Sequence, residues 1–291
     1  MSRTRPTSLA ELMDAPFRFV RREFRVLAPW AVLIGVSAAI PGLLNQVILS
    51  ALGGMQGLSG NPAALMTWAL LSQAAGLIGF ALYFVGNFVL YTAVHRRLHG
   101  LELGVHEVLR GAIDSRLWIV TILEGMLNVV GLLLCGLPQL YLFPVLMPSL
   151  AIAMEEDVHT EAITRCFTLV HHAAADVRAR ATWGRAVALL HAVTFVTMSL
   201  TAVASAPIVV VMGVRTWRGL SDGTFTPEAM QDLALLPVWA QVPLSLLGGA
   251  ATGLTLLYSV AARFHLYRDL VETREGTDLA RALDAAEHAG G

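Results

Sequence analysis

The sequence predicts an all-α polytopic membrane protein with six transmembrane helices, interfacial amphipathic helices and both termini in the cytoplasm. Three observations carry the prediction. From Val26 to His95, a run of 70 residues, there is no Asp, Glu, Lys or Arg. Composition agrees, with 56% hydrophobic residues, 14% charged residues and a mean hydropathy of +0.64, where soluble domains carry about 25% charged residues. Three further apolar tracts follow: Leu117 to Met154 with Glu124 as its one charge, Ala186 to Val214 with none, and Leu233 to Ala262 with none. A crossing needs about 20 apolar residues at about 1.5 Å each to span about 30 Å of hydrocarbon.

The N-terminal 25 residues are polar or amphipathic, and the apolar stretch after them is far longer than the h-region of a signal peptide. This predicts a retained N-terminus. Ser8-Leu9-Ala10-Glu11 fits a capping box. Leu9, Leu12, Met13, Phe17, Val20 and Phe24 then recur at helical spacing, with Arg18, Arg21, Arg22 and Arg25 toward the other side. Residues 1–26 therefore read as an interfacial helix, its apolar face on the membrane and its guanidinium groups at lipid phosphates. The membrane domain covers 27–264 and a cytoplasmic tail 265–291.

Hydropathy places the spans near 27–51, 64–94, 117–137, 138–156, 186–212 and 234–262. The third and fourth share a hinge at Gly136-Leu137-Pro138, where Gly permits a turn and Pro withholds a donor. One long kinked helix is the competing reading, and it would leave five spans. Arginine decides between them, because basic residues concentrate on the cytoplasmic side. All 20 basic residues are Arg, and with six spans 18 of them lie inside; Arg215 and Arg218 lie outside. Thr226 and Pro227 would start one small helix in the longest outer loop. Val105, Val108, Leu109 and Ala112, and then Ile163, Cys166, Phe167 and Val170, form apolar stripes before the third and fifth spans.

Two stretches carry a family resemblance. One is Leu137-Pro138-Gln139-Leu140-Tyr141-Leu142 through Pro148, then Glu161 to Cys166, then Trp183. The other is Leu256-Leu257-Tyr258 through Arg263, then Arg274-Glu275-Gly276 and Asp278-Leu279. Together they resemble the membrane domain of the glycerophosphoryl diester phosphodiesterase membrane-domain family of bacteria, although Gln139 stands where Gly is usual. The resemblance implies a standalone membrane architecture without the catalytic barrel. After Ala262 only 29 residues remain, and such a barrel needs about 250.

Glu124 is the one formal charge in the interior of a predicted span, Glu155 and Glu156 lying at the end of the fourth, and such a group is costly by about 2.5–3.5 kcal/mol. Thr121, Asn128 and Gly131 share its helix face, and His191 lies at similar depth in the fifth span. These positions predict either a Glu124–His191 pair or polar cavity with Asn128, binding a proton or polar headgroup, or a single carboxylic acid, protonated or hydrogen-bonded to Asn128 and a neighbouring helix. His95 and His99, one turn apart, have metal-ligand spacing, but no third ligand is close in sequence. With Arg96, Arg97 and Tyr91 they read as a headgroup-level anchor, and no metal or cofactor is expected. Glu155-Glu156-Asp157 closes the fourth span; with His159 nearby a cation site is conceivable, but Asp157 as a cap for the next helix is favoured. Asn45, Gln46, Gln73 and Asn87 suit hydrogen bonds between helices. Ser245, Gly249 and Gly253 predict close helix approach.

Cys135 and Cys166 fall on opposite sides of this topology, which argues against a disulfide. No HExxH, GxSxG, Walker A or dinucleotide fingerprint occurs, so no enzyme is expected; an intramembrane enzyme ranks last. The net charge of -1 gives no bias toward nucleic acid. The expected function is a non-catalytic, lipid-associated scaffold or partner subunit of the bacterial inner membrane. Its partners would be membrane lipids and another membrane or cytoplasmic protein. The alternative is a small transporter or permease with a polar cavity around Glu124.

Overall fold

The computed structural model describes residues 8–51, 61–134, 136–170, 177–223 and 238–289. Among them the chain is helical, with no strand: α1 (Leu9–Ala51), α2 (Pro62–Leu98), α3 (Val105–Ala112), α4 (Ser115–Leu133), α5 (Leu137–Leu146), α6 (Ser149–Glu155), α7 (Glu161–Val170), α8 (Val177–Ser221) and α9 (Val238–Ala289). Six stretches are long and apolar enough to cross a membrane: Leu9–Asn45, Pro62–Leu98, Ser115–Leu133, Leu137–Glu155, Thr182–Pro207 and Val242–Thr273. The protein is a multi-pass membrane protein. The small helix expected near Thr226 and Pro227, Cys135 and His171-His172 lie outside the described residues.

The start of α1 follows the sequence closely. The Ser8 hydroxyl accepts the Glu11 amide at 3.2 Å, and the Glu11 carboxylate accepts the Ser8 amide at 2.9 Å. The expected separate interfacial helix is instead the first part of one 43-residue helix. No Gly or unsatisfied turn interrupts the chain between Phe24 and Trp30, and the chain stays helical through Pro29. Between α4 and α5, Gly136 takes φ 73°, a left-handed conformation that Gly adopts without penalty, and Pro138 sits in the first turn of α5. The expected fourth span is α5 and α6 in series, separated at Met147 and Pro148.

The chain divides into two compact units. One comprises residues up to Leu27, Phe88–Phe195 and residues from Leu257 on; the other comprises Ala28–Asn87 and Val196–Leu256. In the first, α4 packs on α5, α6 and α7, around a core that includes Phe88, Tyr91, Leu117, Leu150, Ile152 and Phe264. Tyr91 is buried with its ring 5.8 Å from that of Phe264, and so is not the belt residue expected. The buried stripe of α7 is Ala162, Cys166, Leu169 and Val170; Ile163 and Phe167 are half-exposed. On α3 only Val108 and Ala112 are buried, while Val105 and Leu109 are exposed.

In the second unit, Gly35 of α1 meets Gly249 and Gly253 of α9. A Cβ on Gly253 would collide with the Ala31 carbonyl, and one on Gly249 would lie 2.7 Å from the Gly35 oxygen. Close approach at Gly249 and Gly253 is as the spacing predicts; the opposing Gly35 carried no such signal.

Candidate functional site

The functional candidate grows from the charged start of α1. Leu12, Pro16, Phe19, Glu23 and Leu27 form its buried stripe, at the i, i+4, i+7 spacing of one helical face. Leu9, Phe17 and Phe24 face outward, as an apolar surface for the membrane interface would. Leu12 turns inward instead, because helical geometry places it with Phe19 and Glu23. Arg18, Arg21, Arg22 and Arg25 are exposed.

Three of these arginines line a groove of about 680 Å³. Its walls are Arg18, Arg21 and Arg22 with Ala15 and Phe19 from α1, Leu98 from α2, and His265 and Arg268 from α9. The arginines are only partly neutralised. Arg18 pairs with Asp14 at 3.1 Å, Arg22 with Glu23 at 2.9 Å, and Arg268 with Glu155 at 3.1 Å. Arg21 has no protein partner among the described residues. The Arg22 guanidinium lies 5.8 Å from the Phe19 ring centre. The His265 ring meets Phe19 edge-on at 5.9 Å, and its Nε2 is buried without a hydrogen-bond partner. Guanidinium groups converging on one cleft, Arg21 among them without a protein acceptor among the described residues, form a lining that suits an anion.

The other expected headgroup contacts are held differently. Arg97 is turned onto Glu23, donating from Nε at 2.8 Å and from its terminal amine at 2.6 Å. Arg96 donates to the Glu102 carbonyl at 2.9 Å. Both are therefore held by protein acceptors, while Arg25 is exposed and has no protein partner among the described residues.

Around Glu124 the structure assembles a polar seam without His191. The Glu124 carboxylate accepts the Ser149 hydroxyl of α6 at 2.9 Å. The Gln139 side-chain amide of α5 donates to the Asn128 backbone carbonyl. Thr121 Oγ1, Asn128 Oδ1 and Gln139 Oε1 are buried without partners among the described residues. His191 is exposed, its Nδ1 2.8 Å from the Val187 carbonyl of its own helix, and no hydrogen bond or ion pair joins it to Glu124 or Asn128 among the described residues. Cys166, on α7, is buried and free. Burial pushes its thiol up, and the Glu124 and Glu156 carboxylates push the same way, so it is a poor nucleophile.

The acids at 155–157 diverge and do not converge on His159. Glu155 accepts from Arg268 and lies 3.0 Å from His99 Nε2. Glu156 takes Arg165 at 3.0 Å and the Tyr267 hydroxyl at 3.1 Å. Asp157 pairs with Arg116 and stands in a turn with φ 59°. It does not cap α7, which begins four residues later with the Glu161 carboxylate accepting the His159 amide.

Sequence reasoning missed Glu23, His265 and Arg268. Glu23 did carry a signal: it is the only acid between Arg18 and Arg25. His265 and Arg268 join the groove only through the packing of α9. With the groove defined, neither a protein-family model, nor a curated protein, nor a solved structure matches this chain.

Proposed function

We propose that this protein is a non-catalytic lipid-associated membrane module that holds the phosphate of an anionic lipid in the groove between Arg18, Arg21, Arg22 and Arg268. The carrying observation is the convergence of these four guanidinium groups on one cleft, Arg21 having no protein partner among the described residues. Guanidinium groups bind phosphate through paired donors. The neighbouring outward residues Leu9, Phe17 and Phe24 supply an apolar surface for acyl chains.

The same reading places both chain ends on the cytoplasmic face of a bacterial inner membrane. The arginines of Arg18–Arg25, Arg96–Arg116, Arg165–Arg185 and Arg263–Arg268 all belong to one compact unit, and Arg215 and Arg218 to the other. A role as scaffold or partner subunit is the non-catalytic form of this lipid-contact reading. The resemblance to glycerophosphoryl diester phosphodiesterase membrane domains supports the same architecture. The permease alternative draws on the buried amide oxygens at Asn128 and Gln139, but the Glu124 carboxylate already has Ser149.

The test uses the full chain in nanodiscs of equal phosphatidylglycerol and phosphatidylcholine, with retained lipids counted by native mass spectrometry. An arginine near an anionic surface contributes about 1 kcal/mol, roughly fivefold in affinity. Phosphatidylglycerol should be enriched, and Arg18→Gln with Arg21→Gln should lower that enrichment several-fold. Retention of both lipids in their input ratio, or an unaltered double variant, would overturn the reading.

A further inference from the structure

A second cluster lies at the ends of α2 and α6. His95 and His99 are one helical turn apart, with ring centres 4.6 Å from each other. Glu155, 56 residues beyond His99, closes α6. One ligand atom from each of the three lies within 4.8 Å of the other two. The missing third ligand is thus supplied by tertiary packing.

We propose that His95, His99 and Glu155 form a binding site for a divalent transition metal, with zinc as the best fit. The inference does not require the lipid reading, although Arg268 borders both sites. Bonds of about 2.0–2.2 Å to nitrogen and carboxylate oxygen set tetrahedral ligand atoms roughly 3.4 Å apart. His99 Nε2 and Glu155 Oε2 already stand 3.0 Å apart. Side-chain adjustments of about an ångström would close the set. Two imidazoles and one carboxylate suit zinc or its neighbours; magnesium and calcium prefer all-oxygen shells.

The surroundings supply what such ligands need. Arg268 holds the other carboxylate oxygen of Glu155 at 3.1 Å, which orients Glu155 as a one-oxygen ligand. The His95 ring is set against Phe264 at 5.9 Å. The Arg268 hydrogen bond to Glu155 is an outer partner of the kind found in metal sites, while Phe264 restrains His95 by packing alone. His99 is 41% exposed, which leaves an entry path. Three protein ligands leave a fourth position for water or a phosphate oxygen. A hydrogen bond between His99 and Glu155 would need no second imidazole; a metal would use the one that His95 brings from the same helix face.

The experiment takes the full chain without a polyhistidine tag, in detergent and stripped with chelator, and titrates it with cobalt(II). Visible absorption reports the geometry, and zinc(II) competes. One equivalent should bind with a tetrahedral spectrum and be displaced by zinc. His99→Gln, which keeps a polar end for Glu155, and Glu155→Gln should each weaken binding at least about tenfold, the loss that even an outer partner causes, with unchanged circular dichroism. His159→Ala should leave it unaltered. Failure to bind one equivalent, or binding that His99→Gln in a folded chain does not weaken, would overturn the site.

Discussion

Asp269 and Arg185 show how single residues hold this charged unit together. Asp269 is nearly fully buried, and the Arg185 terminal amine donates to both of its oxygens at 2.5 and 2.6 Å. Removing one member of such a buried pair costs about 3–5 kcal/mol. Asp269→Ala should therefore lower the thermal midpoint in detergent markedly, as followed by circular dichroism. Joint replacement of both residues by apolar ones should recover part of the loss. An Asp269→Ala midpoint equal to the parent would mean that the pair is satisfied by solvent. Glu23 and Arg97 repeat the arrangement across 74 residues of sequence. A sequence can announce that an acid amid arginines needs a partner, but it cannot say which arginine arrives. The Ser8–Glu11 box was legible because both members sit within one turn.

The elements are set by backbone approach where side chains are small. In the unit that contains Gly35, Gly249 and Gly253, α1 and α9 meet at those glycines, as membrane helices do when lipid offers no hydrophobic drive to association. Gly253→Ala forces a methyl group against the Ala31 carbonyl. It should destabilise the chain by about 1–3 kcal/mol, the usual cost of overpacking. Gly248→Ala, with open space around its Cβ, should be neutral or slightly stabilising, because Ala is the better helix former. Equal midpoints for the two variants would show that the helices can part without loss. Gly249 and Gly253 were legible as a small-residue pair. Gly35 was not, since a lone glycine in an apolar helix looks the same whether it faces lipid or another backbone. The stripes on α1, α3 and α7 drifted for a related reason. Such helices carry apolar residues on faces that pack on protein and on faces that meet lipid, so periodicity alone does not distinguish the two.

For the molecule as a whole, six crossings would return the C-terminus to the side of the N-terminus. Reporter fusions after Ala289 and within the segment containing Arg178 should both read cytoplasmic, and one after Gly223 should read external. A cytoplasmic reading at Gly223 or an external one at Arg178 would rule out the six-span topology. The helical class and the six long apolar stretches were legible in the sequence itself, because such stretches have one low-energy environment and backbone polar groups there must be satisfied within helices. So was the concentration of arginine near the start of α1. What only the tertiary structure decided is which charges meet. Arg268 and His265 reach the Arg18–Arg22 groove, Glu155 reaches His95 and His99, and His191 stays apart from Glu124. Those distances depend on the rotation and depth of each helix against its neighbours, which packing sets and local sequence does not encode.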